Sequence, residues 1–167
     1  MAHSLTESYY LKALEAYPWE LAEVLENLNY ALSYDAENAA ANCLMGQLQM
    51  EYLKDYPAAQ HYFESALGIN PKYACALENL AQLFIHQRKL RQAHKLLHYA
   101  HKEKILDPGL VYCGMSKILE RQGNLKLAKV YLKNALAQAL SADEQEYFEK
   151  ELERLKKRIK THKSLKK

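Results

Sequence analysis

The sequence feature that most constrains the fold is a repeated pattern with a period of about 34 residues. Each copy places a large, a small, a large and a small side chain at spacings of three, four and three. The three copies are Tyr56, Ala59, Phe63 and Ala66; Leu90, Ala93, Leu97 and Ala100; and Leu125, Ala128, Leu132 and Ala135. This spacing lines one face of an α-helix. Because the small residue is alanine in every copy, the pattern predicts helices that pack closely against a neighbour.

A second pattern precedes each of the last two copies. Leu77, Leu80, Ala81 and Phe84 correspond, 35 residues later, to Tyr112, Met115, Ser116 and Leu119. Between the helices, Asn70-Pro71 and Asp107-Pro108 each place a capping side chain before a proline that suits a first helical turn. The repeating unit is therefore predicted to be two antiparallel helices, and a period of this length is typical of helical repeat proteins.

The segment from Leu77 to Phe84, together with Ala59, Phe63, Ala66 and Pro71, resembles the tetratricopeptide repeat family. The resemblance covers about residues 39–138. It implies an all-α fold, a right-handed superhelix of stacked antiparallel helical hairpins. It also implies a non-enzymatic module that binds a peptide or an extended segment of another protein in its concave groove.

The expected organisation is a single domain over residues 1–160, followed by a basic, flexible tail over residues 161–167. Hairpins are predicted at about residues 5–34, 39–68, 72–104 and 108–138. A capping box at Ser141–Glu144 predicts a last helix over about 141–160, with Tyr147, Phe148, Leu152 and Leu155 covering the fourth hairpin.

The resemblance also indicates which residues line the groove, namely first-helix residues that flank the packing stripe. These are Tyr10, Leu44, Leu48, Tyr52, Glu78, Asn79, Gln82, His86, Lys117 and Arg121. The second hairpin matches the pattern only with a slip of one residue, so the inward face of its first helix stays open. Lys117 and Arg121 lie one helical turn apart and together suit a carboxylate. An ordinary solvated surface remains the alternative.

Charge divides the chain unevenly. Residues 1–87 contain 3 Lys/Arg and 11 Asp/Glu, a net −8, whereas residues 88–167 contain 20 and 9, a net +11. In a linear array of repeats this predicts an acidic end and a basic end. The basic residues near the C-terminus include Arg154, Lys156, Lys157, Arg158, Lys160 and Lys163.

The basic end supports a second functional hypothesis, the binding of nucleic acid or of an anionic surface through phosphate contacts. Residues 154–167 contain no aromatic side chain, so stacking on bases has no support there. The same segment could instead dock on the acidic half of another copy, which would give head-to-tail association. A plain solubilising tail remains open.

No motif of a catalytic site is present: the chain has no glycine-rich phosphate loop, no GxSxG elbow and no HExxH helix. We therefore expect a protein that is not an enzyme and has no cofactor. His94, His98 and His101 share one helical face and could bind zinc or nickel, although solvated or packing histidines are the favoured interpretation.

Three cysteines, Cys43, Cys75 and Cys113, are odd in number and widely spaced, and they form no CxxC pair. This predicts buried, reduced thiols that act as small apolar groups. The sequence also lacks a signal-peptide pattern and an apolar run long enough to span a membrane. We therefore expect a cytoplasmic location.

Overall fold

The computed structural model describes the backbone of residues 2–164 and the side chains of residues 5–162. Over these residues the chain is all-α, with nine α-helices. They are α1 (Ala2–Ala16), α2 (Leu21–Tyr34), α3 (Ala39–Leu48), α4 (Tyr56–Ile69), α5 (Ala74–His86), α6 (Leu90–Lys102), α7 (Pro108–Arg121), α8 (Leu125–Ala137) and α9 (Ala142–Ser164). A single π-helical turn, Gln49–Leu53, continues α3. The predicted fold class, antiparallel helical hairpins followed by a C-terminal helix, is confirmed.

Two compact units make up the chain, residues 1–83 and residues 84–167, and the boundary falls within α5. The single domain over residues 1–160 therefore stays a prediction. Helix α9 continues to Ser164, so residues 161–164 of the predicted tail are helical. Residues 165–167 lie outside the described residues.

Side-chain caps fix where several helices begin. Asn38 accepts a hydrogen bond from the Ala41 amide (2.8 Å) at the start of α3, and Asp55 accepts one from the Ala58 amide (3.0 Å) at the start of α4. At α9, the Glu144 amide donates to Ser141 Oγ (3.1 Å), which confirms the predicted cap. Each cap satisfies an amide that has no partner inside its helix.

The core of the first unit is built from one buried stripe on each second helix, of which the α4 stripe was predicted. Val24, Leu28 and Ala31 of α2, and Ala59, Phe63 and Ala66 of α4, are completely buried. Helix α3 faces the α4 stripe through Gly46, where a Cβ atom would lie 2.6 Å from a ring carbon of Phe63. The absence of a side chain at Gly46 thus sets how closely α3 and α4 pack.

The second unit repeats this arrangement. Ala93, Leu97 and Ala100 of α6, and Ala128, Leu132 and Ala135 of α8, are buried. Ser116 of α7 occupies the predicted small position and donates a hydrogen bond to the carbonyl oxygen of Ala128 (2.7 Å). Phe148, Leu152 and Leu155 of α9 pack into the same core as the α8 stripe, so α9 covers the fourth hairpin as predicted.

The substitution Ala93→Leu tests the register of the repeat. Ala93 is completely buried, so three added carbons must displace neighbouring side chains and should destabilise the protein by about 1–3 kcal/mol. Gln92→Leu adds an apolar side chain at the neighbouring exposed position and should change stability by less than about 0.5 kcal/mol. Thermal melts followed by circular dichroism compare the two variants, and equal melting temperatures would contradict the register.

Candidate protein-binding face

The first helices of the first unit bring together a group of aromatic and sulfur-containing side chains. Tyr10 of α1 is half-buried, and burial raises its pKa, with Cys75 and Cys43 adding to the rise. Burial likewise raises the pKa of Tyr73, just before α5, to about 12, with contributions from Cys43, Tyr10 and Cys75. Residues from α1, α3 and α5 therefore meet here, and both tyrosines remain protonated at neutral pH.

The two cysteines of this group touch. Their Sγ atoms lie 2.7 Å apart, and no disulfide joins them. Asn79 turns toward Cys75, donating to its carbonyl oxygen (2.9 Å) and lying 3.5 Å from its Sγ. Asn79 is consequently buried, and its amide faces the cysteines rather than an open groove.

Polar side chains continue this face along α5. Gln82 donates a hydrogen bond to Glu78 Oε1 (3.1 Å), and both side chains are half-buried. The hydrogen bond holds the two side chains in fixed positions one helical turn apart. Part of each remains accessible to a partner.

At the π-helical turn, Tyr17 and Tyr52 form an aromatic pair beside the carboxylate of Glu51. The Tyr17 hydroxyl donates to Glu51 Oε2 (2.6 Å), and the ring of Tyr52 packs edge-on against Tyr17 with centroids 5.8 Å apart. Glu51 also belongs to the electrostatic environment of Cys75. We call the set Tyr10, Glu51, Tyr52, Tyr73, Glu78 and Gln82 the tyrosine–carboxylate face.

Two predicted groove residues do not lie on this face. Leu44 and Leu48 are 4% and 1% exposed and pack in the core with Val24 and Leu28. The one-residue slip is the physical reason. Because Gly46 takes the place opposite Phe63, α3 turns both leucines toward the first hairpin.

In the second unit, Lys117 of the predicted cationic pair contacts α9. Lys117 Nζ donates to the Tyr147 hydroxyl (2.7 Å) and lies 5.4 Å from the centre of that ring. Arg121 is exposed on the last turn of α7, and His86 is exposed at the end of α5. Lys117 thus helps to hold α9 against α7.

A buried acid in α7 binds the basic helix, which the sequence interpretation missed. Arg154 donates to both carboxylate oxygens of Glu120 (2.8 and 2.6 Å), and Arg158 also donates to Oε1. The Arg154 guanidinium, with help from Arg158, holds the pKa of Glu120 below its usual range despite its burial. The only available signal was a single acid, Glu120, on the helix that faces a basic stretch.

These contacts change the interpretation of the basic tail. Lys156 is also paired, with Glu153 on the preceding turn of α9. Two of the six basic residues predicted to form a binding tail, Arg154 and Arg158, instead bind α7. The side chain of Lys163 lies outside the described residues.

The described part of the chain contains no group of three or more His, Cys, Asp or Glu side chains arranged to bind a metal ion. The rings of His94 and His98 stack with centroids 6.4 Å apart. None of the described helices is both long enough and apolar enough to cross a membrane.

These features define a helical repeat protein whose hairpins pack through small residues. Residues 53–100 match the tetratricopeptide repeat family model, so this part of the chain carries the repeat of that family. Proteins of this family generally serve as protein–protein interaction modules and are usually non-catalytic. The predicted family is therefore confirmed.

Solved structures extend the likeness beyond the matched residues. PilF of Pseudomonas aeruginosa is 16% identical with a TM-score of 0.76, covering 96% of this chain and 71% of its own. PilW, described as a widely conserved type IV pilus biogenesis factor, is 19% identical with a TM-score of 0.74, covering 91% and 78%. MamA of Desulfovibrio magneticus RS-1 is 16% identical with a TM-score of 0.70, covering 95% and 88%. No curated protein sequence gives a significant match.

Proposed function

We propose that this protein is a non-enzymatic adaptor that binds an extended, basic segment of a partner protein on the tyrosine–carboxylate face. The observation that carries the proposal is the composition of this face. Tyrosines supply apolar area and hydroxyl groups at a small cost in side-chain entropy, and Glu51 and Glu78 supply negative charge beside them.

Electrostatics favours a basic partner. Residues 1–83 contain 11 Asp/Glu and 3 Lys/Arg, a net −8. This field would attract a cationic segment and speed its association. Glu78 and Glu51 both belong to the electrostatic environment of Cys75, so two carboxylates act on the same part of the face.

The alternative, binding of nucleic acid through the basic end, has less support. Arg154 and Arg158 neutralise Glu120, and Lys156 pairs with Glu153. Head-to-tail association, in which the basic end of one copy docks on the acidic half of another, is a further alternative. A cytoplasmic location is part of the proposal.

Reversing the charge of the face tests the proposal. The variant Glu51→Lys/Glu78→Lys should weaken binding of the partner segment at least tenfold, which corresponds to about 1.4 kcal/mol. The partner would first be captured from lysate and identified by mass spectrometry. The captured segment, made as a labelled peptide, would then be titrated by fluorescence anisotropy.

A charge-matched control separates the face from the overall field. Glu26→Lys/Glu64→Lys changes the net charge equally at exposed positions of α2 and α4, and should retain affinity within about twofold. Circular dichroism verifies that both variants are folded. Equal affinity of the two variants for the peptide would refute binding on the tyrosine–carboxylate face.

A further inference from the structure

The contact between Cys43 and Cys75 lies beside the tyrosine–carboxylate face, but the proposed binding of a basic segment does not use it. Cys43 is 1% exposed, within α3, while Cys75 is half-buried in the first turn of α5. Their sulfur atoms are 2.7 Å apart, whereas a disulfide bond is about 2.05 Å long. The remaining gap between the two sulfur atoms is less than about 1 Å.

We propose that Cys43 and Cys75 form a thiol–disulfide modification site, in which Cys75 attacks a low-molecular-weight disulfide and Cys43 resolves the product. The resulting bond would join the first helices of the second and third hairpins. Both cysteines lie within residues 1–83, so the site is complete within one unit.

The surroundings assign different roles to the two sulfurs. Cys75 is the more exposed, and it sits at a helix N-terminus, where the helix dipole favours a thiolate. The Cys43 thiol, by donating to the Cys75 sulfur, lowers the pKa of Cys75, and the Asn79 amide lowers it further against the effect of burial. The same contact raises the pKa of Cys43, and burial adds to the rise.

The ionisable groups facing Cys75 come from every neighbouring element. They are Tyr10 of α1, Cys43 of α3, Glu51 of the π-helical turn, Tyr73 and Glu78. The two carboxylates oppose formation of the thiolate. The Cys43 thiol and the Asn79 amide outweigh them because they touch the sulfur directly.

The exchange balances without any further reagent. The Cys75 thiolate attacks one sulfur of a disulfide RS–SR, forming Cys75–S–SR and releasing RS⁻. Cys43 then loses its proton to RS⁻ or water and attacks the Cys75 sulfur, expelling the second RS⁻. Two protein thiols and one RS–SR thus become one protein disulfide and two RSH.

Cys75 is the entry point for the disulfide, because Cys43 is almost inaccessible. Once Cys75 is capped, its negative charge and its acceptor role disappear, and with them the largest cause of the raised pKa of Cys43. Burial and Glu78 continue to raise that pKa.

The test uses the full-length reduced protein and oxidised glutathione as the probe. After oxidation, free thiols are blocked with iodoacetamide and the protein is digested with trypsin. Cleavage after Lys12, Lys54, Lys72 and Arg88 places Cys43 on a peptide covering residues 13–54 and Cys75 on one covering residues 73–88. We expect these two peptides to be linked, with a loss of two hydrogens that dithiothreitol reverses.

Single variants distinguish the two roles. Cys43→Ser should accumulate a stable glutathione adduct on Cys75, and Cys75→Ser should leave Cys43 unmodified. Cys113→Ala is the control, because Cys113 is buried in the other unit, and it should form the 43–75 link at the rate of the unaltered protein. A persistent adduct on Cys75 in the unaltered protein, without the link, would overturn the proposal.

A further measurement uses the unaltered protein, so its result does not depend on whether a cysteine variant folds. In the native, unaltered protein, the rate of alkylation by limiting iodoacetamide should be at least tenfold higher at Cys75 than at Cys113. The pH midpoint of the Cys75 rate should lie below the ordinary cysteine value of 9.0. Equal rates at the two sites, or an ordinary midpoint at Cys75, would also overturn the proposal.

Discussion

Replacing Gly46 by alanine is expected to lower the free energy of unfolding by about 2–3 kcal/mol, the upper range for an overpacked core. The added Cβ atom would lie 2.6 and 2.7 Å from two ring carbons of Phe63. That ring is completely buried, so it can retreat only if α3 and α4 separate. The gain in helix propensity, about 1 kcal/mol, offsets only part of this strain.

Gly68→Ala in α4 is the matched control, because it changes the same residue type in a helix of the same unit. No atom lies within 4 Å of a Cβ atom placed there, so stability should stay constant or rise by up to about 1 kcal/mol. Urea denaturation measures both variants. If Gly46→Ala were as stable as Gly68→Ala, the close approach of α3 to Phe63 would be wrong.

The second large effect is expected when Glu120 loses both of its arginine partners. The double variant Arg154→Ala/Arg158→Ala removes both cations from the Glu120 carboxylate, which is 6% exposed while they are in place. An unpaired buried charge costs about 3 kcal/mol or more. We therefore expect a destabilisation of about 3 kcal/mol at pH 7, measured by urea denaturation.

Glu120→Gln should cost less, about 1 kcal/mol, although it breaks the same ion pairs. The arginine side chains are 46% and 53% exposed, so water can solvate them when the carboxylate is gone. A larger loss for Glu120→Gln than for the double arginine variant would contradict this asymmetry.

The pH dependence of the double variant has a definite sign. In the unaltered protein the arginines keep the pKa of Glu120 below its ordinary value of 4.5. The ion pairs therefore stabilise the protein above about pH 4.5, and this contribution is lost as the pH falls through the lowered pKa. Without the arginines, burial raises that pKa, so the stability difference should be full at pH 7 and shrink on acidification. A difference independent of pH would exclude the carboxylate as its source.

The second helices show how far the sequence determines this fold. Ala59, Phe63 and Ala66, like Ala93, Leu97 and Ala100, were predicted to be core from spacing alone, and all six are buried. Helical periodicity is local, and a buried stripe needs only one face. The start of α9 was predictable because capping is also local. Ser141 accepts a hydrogen bond from the Glu144 amide, only three residues along the chain.

First-helix residues were harder to place. Leu44 and Leu48 were expected on the open face, but Gly46 lies opposite Phe63 and turns them into the core. The sequence of α3 can be aligned with the repeat pattern either directly or with a shift of one residue. Only the packing of α3 against α4 distinguishes the two registers.

By itself, the sequence determined the repeat, the helical hairpins, their closely packed small residues and the charge difference between the two halves. The tertiary structure alone decided that Cys43 touches Cys75 and that Glu120 binds Arg154 and Arg158. The physical reason is the range of the interactions. Periodicity and capping act within a few residues, whereas these contacts join residues 32 to 38 positions apart. These separations are close to one repeat length, so they bring helices of successive repeats side by side, and helix rotation then decides which side chains meet.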